Sequence, residues 1–270
     1  MQMTIATPRM QVWRIDEKFE NTPHLHEDQF QVSIPLYGAC AFTHENVTYD
    51  LTAGEALVQY PQDRHSFTIE EGSGILIVQV DRGSLNRIGA GAPVELSFRQ
   101  SVDPRQALDH FRSWSGEMFS RDRLDTLAVD ELETRILRFL HRELRGSHMN
   151  GGNEAPIWSG AEGQERHLAR VLAHIREHFA EPLRIDELAA IALQSRFHFI
   201  RSFKAFTGLS PYQYVLRTRI EDAKRRLAET DSTVTDIGLE TGFSSPSQFY
   251  RAFFKASGMT PEQFRVRGGR

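Results

Sequence analysis

The sequence predicts an α+β, multidomain chain: an N-terminal β-barrel followed by helices, then a C-terminal all-α domain with two helix-turn-helix units. Three observations carry that prediction. Residues 8 to about 83 read as short strands with no helix between them. From about Pro104 the apolar spacing becomes helical, and two stretches of the last hundred residues repeat each other at an offset of fifty. A chain of 270 residues, 40% hydrophobic and 25% charged, has the size and composition of two soluble globular domains.

The strands read first at Gln31–Pro35, Cys40–Phe42, Ala56–Tyr60 and Gly74–Val80. Each is rich in β-branched or aromatic residues, or bounded by a turn signal such as Tyr37-Gly38 or Ala53-Gly54. Beyond Pro104, Ala107, Phe111, Trp114 and Met118 recur at helical spacing. A second helix carries Val129, Leu132, Ile136, Leu137, Phe139, Leu140 and Leu144. That stripe is wide enough to cover the barrel and also to meet a second subunit, while plain core packing explains it equally well. Gly146–Gly160, with four glycines and a proline, reads as a linker. The expected domains are therefore 1–100 (barrel), 101–145 (helical packing and dimerisation), 146–160 (linker) and 161–270 (helical domain). In the last of these, Leu168, Val171, Leu172, Ile175 and Phe179 form the apolar face of a first helix, which ends by Pro182.

Charge divides along the same line. Residues 165–270 carry 17 Lys+Arg against 12 Asp+Glu, a net +5, and residues 1–164 carry the remaining 15 and 24, a net −9. Only the C-terminal half suits a polyanionic partner. The single cysteine, Cys40, excludes an internal disulfide and a cysteine-based zinc finger. No apolar run suggests a membrane span and the N-terminus shows no export signal, so a cytoplasmic protein without a membrane partner is expected.

The repeat compares Ser195–Tyr214 (SRFHFIRSFKAFTGLSPYQY) with Ser245–Phe264 (SPSQFYRAFFKASGMTPEQF). Seven of the twenty positions are identical, including Phe199/Phe249, Arg201/Arg251, Phe203/Phe253 and Gly208/Gly258. The phenylalanines, four apart, share one helix face. The glycines sit where a helix ends on a left-handed residue. Ser210-Pro211-x-Gln213 and Thr260-Pro261-x-Gln263 each start a new helix with a capping box. Upstream lie two shorter helices, Asp186–Ala192 and Val234–Thr241, related at an offset of forty-nine, so one turn holds an extra residue. In each an apolar residue precedes a small one (Leu188-Ala189, Ile237-Gly238), as close helix contact requires, and Thr233-x-x-Asp236 reads as a helix start. Short helix, turn, longer helix is the helix-turn-helix pattern, here present twice, with Pro211–Leu227 as the connecting helix.

At SRFHFIRSFKAFTGLSPYQYVLRTRIEDAKRRL and TVTDIGLETGFSSPSQFYRAFFKASGMTPEQFR, within Leu168–Arg265, the sequence resembles the arabinose-regulator (AraC) family of transcription factors. The resemblance implies a sequence-specific transcription regulator that reads double-stranded DNA in the major groove with two recognition helices. A homodimer is expected from the 101–145 helices, and the resemblance implies activation through RNA polymerase as the usual family role, with activator and repressor both open from the residues themselves. With Phe199 and Phe203 facing the core, the exposed face of the first recognition helix is expected to carry Arg196, Phe197, Ile200, Arg201 and Lys204; the resemblance turns the first four towards the groove. Arg201 suits a bidentate contact to guanine. His198 suits phosphate, base or a structural role. The second recognition helix offers Pro246, Ser247, Gln248, Tyr250, Arg251 and Lys255, of which Gln248 suits adenine. Lys204, Lys255, Arg217 and Arg219 are candidate phosphate contacts, against the alternative of a solvated face or a salt bridge.

In the N-terminal half, Pro23-His24-Leu25-His26, then Gln31 and Gly38, with Gly54, Pro61 and His65 further on, resemble the metal-binding motifs of the cupins over residues 20–82. Gln31 stands where metal cupins place glutamate, and a neutral amide is a poorer ligand. Three readings of the histidines stand: a three-histidine metal site of His24, His26 and His65; an effector pocket lined by His24, His26, Gln31 and His65; or structural histidines. Phe42, Tyr49, Tyr60 and Phe67 would serve as a pocket wall or as core. No catalytic triad order, phosphate loop or CxxC motif appears, so an enzyme is not expected and no cofactor beyond a divalent metal is implied. The alternative function is a metal-binding cupin enzyme, or a metal or pH sensor, fused to the DNA-binding domain.

Overall fold

The computed structural model describes residues 2–86, 95–146 and 161–268. The expected linker, apart from Gly146, lies outside the described residues. The chain forms two compact units. The first comprises residues 1–118 with 135–155, and the second residues 119–134 with 156–270. Residues 119–134, read from sequence as part of the packing segment, thus cluster with the C-terminal helices.

Among the described residues the first unit is built on the strands β1 (Gln2–Ala6), β2 (Met10–Ile15), β3 (Phe19–Glu20), β4 (Gln29–Tyr37), β5 (Ala39–His44), β6 (Val47–Thr52), β7 (Glu55–Gln59), β8 (His65–Ile69), β9 (Gly74–Asp81) and β10 (Arg99–Ser101). They make a six-stranded sheet, β1-β2-β9-β4-β7-β10, and a four-stranded sheet, β3-β8-β5-β6. Strands β4 and β9 are buried almost throughout, on both faces, which puts them in the middle of the larger sheet. Residues of both sheets close one core, including Ile15, Phe42, Leu51, Leu57, Phe67, Ile69 and Ile77. Gly38 takes a left-handed conformation (φ +70°) between β4 and β5, and a Cβ there would fall 2.2 Å from Ser73 Oγ, so the hairpin needs glycine.

A short helix, α1 (Arg82–Asn86), precedes the long helices α2 (Pro104–Ser120) and α3 (Thr126–Glu143). On α2, Ala107, Phe111 and Trp114 are fully buried, and Phe139 of α3 meets Trp114 edge-on at 5.4 Å.

The second unit continues with α4 (Ala161–His178), α5 (Ile185–Ile191), α6 (Arg196–Thr207), α7 (Pro211–Glu229), α8 (Val234–Glu240), α9 (Pro246–Ser257) and α10 (Pro261–Gly268). Among its described residues two hydrophobic clusters stand out. Phe199 and Phe203 centre one with Leu168, Val171, Ile175, Ile185 and Leu188, joined by Leu127 and Ala128 of α3. Phe249 and Phe253 centre the other with Ile220, Ala223, Leu227, Ile237 and Phe243. The expected caps are present. Ser195, Ser210, Thr233 and Ser245 each accept from the backbone N–H three residues on, and Ser210 closes its capping box with Gln213. Gly208 (φ 75°) and Gly258 (φ 73°) end α6 and α9 in the left-handed region. Among the described residues no helix is long and apolar enough to cross a membrane.

Candidate nucleic-acid interface and histidine site

Two helix-turn-helix units follow from these elements, α5–α6 and α8–α9, joined by α7, whose 19 residues span about 28 Å. The extra residue lies in the second turn: residues 192–195 separate α5 from α6, and 241–245 separate α8 from α9. The first turn passes through Leu193 at φ 54° and the second through Gly242 at φ 91°. The small residues of the short helices allow close approach. A Cβ on Gly238 would meet Phe249 Cδ1 at 2.8 Å.

The first recognition helix, α6, presents a different face from the one expected. Arg201 and Lys204 are exposed, and their side chains have no hydrogen-bond or ion-pair partner among the described residues. Phe197 and His198 are half-buried. Arg196 and Ile200 are corrections: they are 9% and 7% exposed and point inward. Arg196 makes a fork with Asp186, Nε to Oδ1 at 2.9 Å and Nη2 to Oδ2 at 3.0 Å, and lies 3.5 Å from Asp130. The reason is angular. At about 100° per residue, Arg196 sits about 60° and Ile200 about 100° from Phe199, on the side of Phe203, while Arg201 lies about 200° round. Two core phenylalanines four apart therefore draw both neighbours into the buried stripe.

On α9, Ser247, Arg251 and Lys255 are exposed, and Gln248 is half-buried. Arg251 Nη1 reaches the Phe119 carbonyl at 3.5 Å, and Tyr250 donates to Glu262. Of the phosphate candidates, Lys204, Lys255 and Arg217 are exposed, the last with its guanidinium 5.4 Å above the Tyr214 ring. Arg219 is the third correction. It is 4% exposed, pairs with Asp125 at 2.5 Å, and donates to the Phe179 carbonyl at 2.7 Å. Its partner lies 94 residues away, so sequence neighbours gave no sign of it.

In the first unit the structure brings the predicted histidines together. His24 and His26 lie in the connection from β3 to β4, and His65 opens β8. The His24 and His65 backbones pair through two hydrogen bonds of 3.0 and 2.8 Å. The ring centroids of the three are 4.6–5.2 Å apart. Each ring offers one ligand atom, and these atoms all lie within 4.8 Å of one another. His24 and His65 point Nδ1 at the carbonyls of Thr22 and Asp63, both at 2.9 Å, which directs the other nitrogen, Nε2, outward as a lone pair. His65 Nε2 is buried without a partner among the described residues. Burial pushes the His65 pKa down to about 4 and lowers that of His26, so His65 is neutral at physiological pH and does not titrate there.

The sequence reading missed the platform beside them. Gln79, Gln31 and Gln59 stand directly opposite one another on the adjacent strands β9, β4 and β7. All three are buried, as is Ser33. Gln79 Nε2 donates to Gln31 Oε1 and to His26 Nε2, both at 2.8 Å. Gln31 donates to Ser33 Oγ at 3.1 Å, and Ser33 to Gln59 Oε1 at 3.0 Å. Gln59 Nε2 is left without a partner among the described residues. The signal was present as polar residues inside otherwise apolar strands, such as GILIVQVD. Phe42 and Phe67 belong to the core between the sheets, and Tyr60 donates to the Leu96 carbonyl.

Residues 188–267 match the family described as a helix-turn-helix domain, and residues 14–140 match the AraC-like ligand binding domain. The chain belongs to the AraC family of transcription regulators. The melibiose operon regulatory protein of Escherichia coli (strain K12) is 23% identical over 256 residues, covering 90% of this chain and 83% of that protein. The probable transcriptional regulator LumQ of Photobacterium leiognathi is 23% identical over 97% of this chain and 98% of its own length. The MmsAB operon regulatory protein of Pseudomonas aeruginosa is 37% identical over 95 residues, 35% of this chain and 31% of that protein. This AraC-family chain is thus a sequence-specific, DNA-binding transcription regulator with an N-terminal cupin-like domain.

Proposed function

We propose that this regulator is switched by a small effector bound at His24, His26, Gln31 and His65, and that it reads its operator chiefly through Arg201. The observation behind the first part is the pair of buried, unpartnered polar atoms, Gln59 Nε2 and His65 Nε2, beside a network of neutral side chains. Such groups cost free energy until a ligand satisfies them. Behind the second part stands the exposed Arg201, whose side chain has no partner among the described residues, with Lys204 one turn on. Phe197 adds an apolar contact from the same helix. On α9, Ser247, Gln248 and Arg251 would face bases, and Lys255 a phosphate. The chain is cytoplasmic, acts as a homodimer, and meets RNA polymerase as an activator. The effector works by having different affinities for two arrangements of the dimer.

A second reading of the same site rests on His65 Nε2. The Nε2 atoms of His24 and His65 face away from their Nδ1 hydrogen bonds, His26 Nε2 would exchange its bond from Gln79 for an ion, and the three together would hold a divalent cation. Such an ion would give a Lewis-acidic anchor for an oxygen of the effector. Gln31, bonded to Gln79 and Ser33, stays outside that ligand set.

Selection from random-sequence DNA at fixed salt tests the DNA part. Two enriched blocks about ten base pairs apart support reading by both helices. Failure to enrich any sequence overturns it. Metal analysis of the purified protein separates the two barrel readings. Stoichiometric metal that is lost in His65→Ala supports the cation, and its absence leaves the organic effector.

A further inference from the structure

Residues 119–134 belong to the DNA-binding unit although the linker separates them from it in sequence. Their helical part is anchored deeply. Asp130 Oδ2 accepts from the Ile185 N–H at 3.2 Å, Glu131 Oε2 accepts from the Tyr212 N–H at 3.1 Å, and Asp125 pairs with Arg219. Asp130 and Glu131 are 2% and 3% exposed. The leading end is held otherwise. Asp122 Oδ2 accepts from Ser244 Oγ at 2.5 Å and from the Ser244 N–H at 3.4 Å. Ser244 immediately precedes Ser245, the N-cap of α9. Three residues earlier, the Phe119 carbonyl takes Arg251 of the same helix. Beside these contacts, Phe119 and Leu124 are largely exposed.

We propose that residues 119–122 are an autoinhibitory latch on the second recognition helix. A carboxylate is held favourably at the N-terminus of α9, where the helix dipole attracts negative charge. That is also the end of a recognition helix that enters the major groove. Asp122 therefore places a negative charge where the DNA must come, and the Phe119 carbonyl occupies an arginine that would otherwise meet the DNA. On the first recognition helix the same segment touches only the buried side, Asp130 lying 3.5 Å from Arg196, while Arg201, the repeat partner of Arg251, is exposed and its side chain is unpartnered among the described residues. One reading head stands open and the other is latched. The latch opens when duplex DNA, or a shift of the anchored helix, draws residues 119–122 away, while Asp125, Asp130 and Glu131 keep the segment attached. The inference rests on the DNA-reading function.

The test uses the full chain and a two-block duplex recovered from a random-sequence library by the wild-type protein. Asp122→Ala should bind that duplex about tenfold more tightly, the equivalent of one charge-assisted hydrogen bond of about 1.4 kcal/mol. It should also extend protection over the second block and steepen the salt dependence, with affinity for a single-block duplex unchanged. Asp122→Asn keeps an acceptor for the Leu124 N–H, bonded at 3.0 Å, and removes only the charge, so it should move affinity the same way if Asp122→Ala folds poorly. Equal binding by both variants overturns the latch. Weaker binding by both shows that the segment braces α9 and overturns it as well. If the wild-type protein enriches no sequence, the DNA reading itself falls and takes the latch with it.

Discussion

Asp125→Asn should destabilise the DNA-binding unit by about 3 kcal/mol, the low end of the cost of orphaning one partner of a buried ion pair. Asp125 does two things at once. One oxygen caps α3, accepting from the N–H groups of Leu127 at 3.0 Å and Ala128 at 3.2 Å. The other takes Arg219 at 2.5 Å, with side chains only 6% and 5% exposed. Asparagine caps as well as aspartate, so the substitution removes the charge and leaves the cap. Arg219 keeps its bond to the Phe179 carbonyl, which holds the loss to the low end of the range. Asp125→Ala also loses the cap and should cost about 1 kcal/mol more. The assay is urea denaturation followed by helical ellipticity, for Asp125→Asn, Arg219→Met and the double variant. A buried pair gives a double-variant cost well below the sum of the singles, with a coupling of about 2 kcal/mol. A cost below about 1 kcal/mol for Asp125→Asn, or additive singles, would refute the reasoning, because exposed pairs behave that way.

Other outcomes follow from single contacts. Gly238→Ala should lower stability by about 1–2 kcal/mol. The methyl overlaps the Phe249 ring, at a cost that exceeds the gain in helix propensity, and thermal melting checks it. Arg201→Ala should cost about 1–3 kcal/mol on the selected duplex and relax one base position. Lys204→Ala should weaken all sequences alike and reduce the salt slope by about one. The apo protein should lose stability as pH falls from the ordinary histidine value towards about 4, because the unfolded chain protonates His65 while the folded chain resists until its own pKa is reached. The gap from about 6.5 to about 4 sets a ceiling near 3 kcal/mol, and a His65→Asn variant with an unchanged pH profile would contradict the assignment.

The helical half was legible because its repeat conserves the residues that start and stop helices. Ser195 and Ser245, Gly208 and Gly258, and the two capping-box prolines each act locally, within four residues of their partners. The core phenylalanines were legible for the same reason. Arg196 and Ile200 were misplaced because the exposed face was drawn too close to Phe199, where the helical angle already turns them inward. Arg219 and the 119–134 segment were beyond local reasoning, since Asp125, Asp122 and Glu131 find partners 94, 122 and 81 residues on. In the barrel the histidines were legible from their motif. The row Gln79, Gln31, Gln59 needed the strand register, which no single segment contains.

The same long separations bear on how the chain is made. Residues 119–134 leave the ribosome well before the helices they pack against, and Asp122 waits 122 residues for Ser244. At about 5–20 residues per second that is roughly 6–24 s for Asp122, and a shorter wait for Leu127, Ala128, Asp130 and Glu131, whose partners lie between Leu168 and Val215. The barrel strands need only earlier residues and can close meanwhile. The acids that will later be buried are what keep the waiting segment in water: FSRDRLDTLAVDELET carries five acidic and two basic residues. Replacing Asp130 and Glu131 with apolar residues of similar size should make the nascent segment more prone to aggregate during synthesis and should also lower the melting temperature of the folded unit, because the buried Ile185 and Tyr212 N–H groups lose their acceptors and Arg196 loses a nearby charge.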